Sequence, residues 1–218
     1  MRSVPSCPEW TLSDLAAHMG GAFHWVEEMV RTQTAELSPV PKRPDEWEEI
    51  SAWFEAGLTS LLETLGRADP DAPVWNWVVM GPAPGRFWYR RTAHEASIHR
   101  WDAENAVREP DAVDADFAVD GIDEYLMIAA RWLEFGPKPD LRGALGLETT
   151  DGEFAATAVL APGALERRAG IDEADCVVRA GASDLLLWLV GRKALLDEEI
   201  TVEGDVSVAA RWAEVTFG

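Results

Sequence analysis

The sequence predicts an α+β protein, with an up-and-down helical bundle over residues 1–136 followed by a small α+β domain over 137–218. Two observations carry this. Apolar residues recur at helical spacing in four segments up to Leu133, and after the break Gly136-Pro137-Lys138-Pro139 the pattern changes to short alternating runs around tight-turn residues.

The first helix is expected from Thr11 to about Arg31, because Leu15, Met19, Ala22, Val26, Met29 and Val30 share one face. Thr11 with Asp14 three residues later matches a capping box. Prolines 39, 41 and 44 break the chain before a second helix from about Asp45 to Leu65 that carries Trp53, Leu58, Leu61, Leu62 and Leu65. The Pro- and Gly-rich segment Asp69–Gly85 encloses the apolar insert Val74–Met80 and reads as a loop or hairpin. A third helix is expected over Phe87–Val107, and a fourth over Asp114–Leu133 with Ile122, Leu126, Ala129 and Leu133 inward.

Beyond Asp140, Leu141–Thr149 and Glu153–Leu160 flank Asp151-Gly152 as two strands of a tight hairpin. Cys176–Arg179 is a third strand, and Ser183 or Asp184 is expected to cap a helix that holds Leu185 to Leu189 and stops near Gly191. Glu199–Glu203 reads as a further strand and Asp205–Val215 as a last helix.

Composition narrows the function. Thirty-nine acidic against 19 basic side chains give a formal charge of −20, which repels a phosphate backbone or an anionic membrane surface, so neither nucleic acid nor membrane is an expected partner. No run approaches the roughly 20 apolar residues of a membrane span, and Met1–Pro5 has no signal-like apolar stretch, so a cytoplasmic location is expected. Cys7 and Cys176 lack C-x-x-C spacing and read as free thiols, Cys7 as packing ahead of its proline. The 11 tryptophans form no repeat and read as core anchors.

His18, His94 and His99 fall inside predicted helices. Glu95 and His99 are four apart and project from one helix face, as a helix-borne chelate requires, whereas His94 and His99 point about 140° apart at 3.6 residues per turn. The text is not H-E-x-x-H, so the zinc-protease motif fails on spacing. His18, on the inner stripe of the first helix, is the natural third donor from a facing helix. Two imidazoles and a carboxylate suit zinc and leave a fourth position open. Spacing alone leaves the alternative standing, since a Glu and His four apart are common as a plain polar pair and a lone His on an apolar stripe is commonly a satisfied core residue. His24 and His94 read as flanking residues, and Arg90-Arg91 and Arg167-Arg168 as solvated charge or anion contacts.

Three blocks of text resemble the mycothiol-dependent maleylpyruvate isomerase family of actinobacteria. They are Val4-Pro5-Ser6-Cys7-Pro8-Glu9-Trp10-Thr11 leading into Asp14–Gly21 with His18, the run Arg91–Glu104, and Ala182–Arg192 with Val202-Glu203-Gly204-Asp205 beyond it. The resemblance implies a DinB-like metal-binding bundle with zinc on His18, Glu95 and His99, and a second domain similar to sterol carrier proteins that brings an arginine, here Arg192, near the active site. It also implies mycothiol as thiol cosubstrate and a small electrophilic substrate, with isomerase, S-transferase and detoxifying activities all open; a homo-oligomer is compatible. Members of the family usually carry another helix before the first block, so the fourth helix, a partner subunit or upstream residues are expected to complete the bundle. Two other readings stay beside the enzyme: a noncatalytic metal-binding or apolar-ligand carrier protein, and a structural bundle with His18, Glu95 and His99 in a hydrogen-bonded cluster.

Overall fold

The computed structural model describes residues 2–135 and 140–215, and divides the chain into two compact units, Met1–Asp111 and Ala112–Gly218. In the first, strands β1 (Ser3–Val4) and β2 (Cys7–Thr11) form a small hairpin that runs into helix α1 (Leu12–Thr32). Helix α2 (Trp47–Arg67), a second hairpin of β3 (Pro73–Asn76) and β4 (Gly81–Pro84), and helix α3 (Arg86–Asn105) follow. The expected capping box is present: the Thr11 hydroxyl accepts from the Asp14 amide, and the Asp14 carboxylate accepts from the Thr11 amide at 3.0 Å. That reciprocal pair sets where α1 begins, and so the height of His18 along it.

Helices α1 and α2 lie close because small residues meet large ones where they touch. A Cβ on Gly20 would stand 3.0 Å from the Trp53 ring, and one on Gly57 2.9 Å from the His24 ring. His24 fills that space, stacked on Trp53 with its Nε2 3.0 Å from the Trp53 carbonyl oxygen. Met19, Phe23, Val26, Met29 and Val30 of α1 then pack with Leu61, Val74, Trp75 and Trp88 into one core. Trp88 donates from Nε1 to the Trp75 carbonyl at 2.8 Å, and the Tyr89 hydroxyl donates to the Leu65 carbonyl at 2.8 Å, so the polar handles of buried Trp88 and half-buried Tyr89 tie α3 to the β3 hairpin and to the end of α2.

The second unit opens with helix α4 (Ala115–Phe135), whose expected inward residues Ile122, Leu126, Ala129 and Leu133 are all buried. Strands β5 (Gly143–Thr149), β6 (Ala155–Ala161), β7 (Ala164–Ala169), β8 (Cys176–Ala180) and β9 (Thr201–Gly204) make a sheet in the order β7-β6-β5-β8-β9. Only β5 and β8 run parallel, with helix α5 (Ala182–Leu189) after β8. Helix α4 packs against α5 and β7. Short helix α6 (Val206–Ala210), begun by the Asp205 side chain, passes into a 3-10 turn over Arg211–Val215, so the last predicted helix is two pieces.

Four expectations are corrected. The units divide before α4, because its apolar stripe is spent on α5 and β7; the boundary expected at Gly136–Pro139 lies outside the described residues. Neither Ser183 nor Asp184 caps α5: the N-cap is Gly181, the Asp151 carboxylate of the β5–β6 connection accepts from the Ala182 amide at 2.9 Å, and Ser183 Oγ accepts from the Val113 amide instead. That connection is five residues, Thr150 to Phe154, longer than a two-residue turn. Strand β7 was not predicted, since Leu165-Glu166-Arg167-Arg168 has too little apolar alternation; it is an edge strand, where charge discourages pairing with other chains. Among the described residues no helix is long and apolar enough to cross a membrane.

Candidate metal centre

Helices α1 and α3 bring His18, Glu95 and His99 together, with one ligand atom of each lying within 4.8 Å of the others. Glu95 Oε1 is 3.3 Å from His18 Nε2 and 3.2 Å from His99 Nε2. Donors about 2.0–2.2 Å from one ion, spread at a tetrahedral angle, stand about 3.3–3.6 Å from each other. The two Glu95 spacings fall at the short end of that chord, and two imidazoles with one carboxylate are an ordinary donor set for a divalent metal.

The surroundings orient these donors. His99 Nδ1 lies 2.8 Å from Asp102 Oδ2, and Asp102 is fully buried. Donation from Nδ1–H to this carboxylate leaves the Nε2 lone pair facing Glu95 and His18, as a metal-bound imidazole needs. The other Asp102 oxygen accepts from the Ser6 hydroxyl in the turn between β1 and β2. Arg91, one helical turn before Glu95, is paired with Glu95 Oε2, which leaves Oε1 for the two histidines. Trp10 of β2 covers the imidazoles, its ring 4.9 Å from that of His18 and 6.1 Å from that of His99, nearly parallel to the latter. His18 is 38% exposed and His99 only 8%, so the cluster is open on the His18 side.

The remaining sequence candidates lie elsewhere. His94 is buried in α3 outside the cluster, and His24 packs on Trp53. Cys7 and Cys176 are not joined in a disulfide, the first half-buried and the second buried. Arg167 pairs with Asp123, and Arg168 with Glu166 and Glu173. Arg192 follows α5 in the second unit and donates from Nη1 to the Val190 carbonyl at 2.8 Å. Sequence reasoning missed Ser6, Trp10 and Asp102. Asp102 left a signal, since it stands three residues after His99 on the same helix face; Ser6 and Trp10 left none.

The model of the mycothiol maleylpyruvate isomerase N-terminal domain matches residues 1–104, and that of the C-terminal domain of the same isomerase matches residues 116–211. The chain belongs to the mycothiol-dependent maleylpyruvate isomerase family. The two matched segments part where the compact units do, ahead of α4. Among solved structures, a histidine-to-alanine variant of the mycothiol-dependent maleylpyruvate isomerase aligns over 93% of this chain and 81% of its own, at 17% identity and a TM-score of 0.58. That likeness speaks for the fold. Sterol carrier protein 2 like 2 from Aedes aegypti aligns over 44% of this chain and 95% of its own, at 23% identity and a TM-score of 0.32. No curated protein sequence matches the chain.

In this family member the charges of the cluster oppose each other usefully. Burial works against ionising Glu95, but His18, His99 and Arg91 outweigh it and hold its carboxyl well below the ordinary 4.5. Burial likewise works against charging His99, but the hydrogen bonds to Asp102 and Glu95 win and raise it above 6.5. The signs give a test on metal-free protein. The raised His99 stabilises the fold fully below its unfolded value near 6.5 and loses that contribution as pH rises through the folded value. The lowered Glu95 stabilises above 4.5 and loses its contribution as pH falls through the folded value. Urea unfolding of metal-free protein should therefore show a contribution from this cluster that is greatest between about pH 4.5 and 6.5 and declines above. In His99→Gln the decline on the alkaline side should shrink; an unchanged profile would contradict the assignment.

Proposed function

We propose that this protein is a metal-dependent enzyme that uses mycothiol on a small electrophilic substrate, as an isomerase of the maleylpyruvate type or as an S-transferase. The observation that carries the reading is the convergence of His18, Glu95 and His99 from two helices at metal-donor spacing, with His99 backed by buried Asp102. Family membership supplies the thiol and the class of substrate.

Zinc is the favoured ion, because two neutral imidazoles and a carboxylate satisfy it with a position left over. A divalent ion held there supplies the positive charge that keeps a thiol ionised near neutral pH. The chain's residues do the rest. His18, Glu95 Oε1 and His99 Nε2 are the ligands; Arg91 keeps Glu95 Oε2 engaged, and Trp10 shields the imidazoles from water on its side. In the isomerase reaction the thiolate sulfur bonds to one carbon of a cis double bond while the π electrons move onto the conjugated carbonyl. Rotation about the new single bond and expulsion of the sulfur then leave the trans isomer, with no atom gained or lost. In the S-transferase reaction a proton is added and the C–S bond stays. We propose Arg192 as the candidate for the arginine that the resemblance implies near the active site, where it would pair with a substrate carboxylate.

Elemental analysis of purified wild type beside His18→Ala and Glu95→Ala is the first test, followed by ultraviolet assays with mycothiol and cis-unsaturated acids. Near-stoichiometric zinc in the wild type, lost in both variants, is expected. Arg192→Ala should keep the metal and lose turnover. Wild type that takes up no metal after zinc is added back would end the reading.

A further inference from the structure

We propose that Ser6 is a positioning residue of the metal centre, acting through Asp102 on His99, and that the N-terminal hairpin is thereby part of the centre's outer shell. This rests on the metal reading above. A fully buried carboxylate is costly unless hydrogen-bonded, and Asp102, at 0% exposure, has both oxygens engaged: Oδ2 with His99 Nδ1 at 2.8 Å and Oδ1 with the Ser6 hydroxyl. Held at both oxygens, the carboxylate is restrained from turning about its own axis, so a residue 96 positions away helps to fix the direction in which it holds the His99 ring.

The hairpin is built to place that hydroxyl. Ser6 sits with Pro5 in the two-residue turn between Val4 and Cys7, where the proline ring restricts the backbone. Val4 is fully buried, the Leu12 amide donates to the Arg2 carbonyl at 2.9 Å, and Arg2 reaches the Ala106 carbonyl just past the end of α3. The same hairpin sets Trp10 against His18 and His99. One short element thus touches the centre twice, once over the imidazoles and once through Asp102.

Removing the group bonded directly to a metal ligand, here Asp102, typically costs about ten- to a hundredfold in metal affinity, and Ser6 acts one hydrogen bond further out. The test is zinc affinity by competition with a chromophoric chelator for wild type, Ser6→Ala, Ser6→Thr, Asp102→Asn and the double variant Ser6→Ala/Asp102→Asn. The His99 Nδ1–H proton resonance of the metal-free proteins is followed in parallel. Ser6→Ala should bind zinc several-fold to about tenfold more weakly and lose or broaden the His99 resonance, while the metal-free protein stays folded with a melting temperature lowered by the lost hydrogen bond. Ser6→Thr, which keeps the hydroxyl, should stay within a few-fold of wild type, and Ser6→Ala should add little once Asp102 is already asparagine. Zinc affinity in Ser6→Ala equal to wild type, or an equal loss in both Asp102 backgrounds, would overturn the inference while leaving the metal reading intact. Wild type that binds no zinc would sink the metal reading, and the His99 resonance would then decide by itself whether Ser6 holds the ring.

Discussion

His99→Ala is expected to weaken zinc binding on the order of a thousandfold and to abolish thiol-dependent turnover while leaving the protein folded. Zinc in small four-ligand protein sites is bound with roughly 10–16 kcal/mol, so each ligand carries about 2.5–4 kcal/mol, and the upper end, which a buried and oriented ligand approaches, is a factor of nearly a thousand. His99 is the donor whose loss should cost most. It is the least exposed of the three and the one whose second nitrogen is held by a buried carboxylate, so no neighbour can swing in to replace it. The mutation also strands Asp102 without the imidazole that balances its charge, which adds a stability cost on top of the lost ligand. His94→Ala removes an equally buried imidazole from the same helix, outside the cluster. It should lower the melting temperature and keep the zinc. Chelator competition on both variants separates the cases; a His99→Ala protein that retained wild-type affinity would remove the metal centre from its proposed place.

The second large effect is on the fold. Trp88→Ala should destabilise the first unit by about 3–5 kcal/mol, a large part of the 5–15 kcal/mol that a domain has in total. Trp88 is 2% exposed, meets Trp25 and Phe87 edge to face, and donates to the Trp75 carbonyl in β3. Alanine leaves a cavity the helices cannot close and a buried carbonyl without that donor. Trp88→Phe keeps most of the volume and loses the donor, so its cost should be nearer 1–3 kcal/mol. Urea unfolding followed by circular dichroism measures both, and equal losses in the two variants would show that the hydrogen bond, not the volume, dominates. Because Trp88 lies on α3 ahead of Glu95 and His99, Trp88→Ala should also weaken zinc binding under conditions where the unit remains folded.

Much of the fold was readable along the chain. The predicted start of α1 at Thr11 falls on its N-cap, because a capping box is a contact between residues three apart and is written into local text. The inward stripe Ile122, Leu126, Ala129 and Leu133 was legible for the same reason, since helical periodicity is local. The pairing of Glu95 with His99 followed from their four-residue spacing on α3. The sequence, by its family resemblance, also named His18 as the third member.

What local text could not decide was which surfaces meet. An apolar stripe states that a helix will be covered and is silent about what covers it, so α4 was assigned to the bundle and instead packs on α5 and β7. A cap supplied from a distance is invisible in the same way: Asp151 reaches the start of α5 from 31 residues away, while the nearer Ser183 is spent on the Val113 amide. Strand β7 escaped because an edge strand exposed to water carries charge where an apolar alternation would have announced it. The centre divides along the same line. By itself the sequence determined the donor types, the helix that presents two of them and the stripe that presents the third, because each rests on spacing within one helix. The tertiary structure alone decided that α1 and α3 approach at donor distance, that Trp10 of a short hairpin lies over the imidazoles and that Ser6 of the same hairpin bonds Asp102, because long-range packing selects those partners and no short-range pattern encodes it.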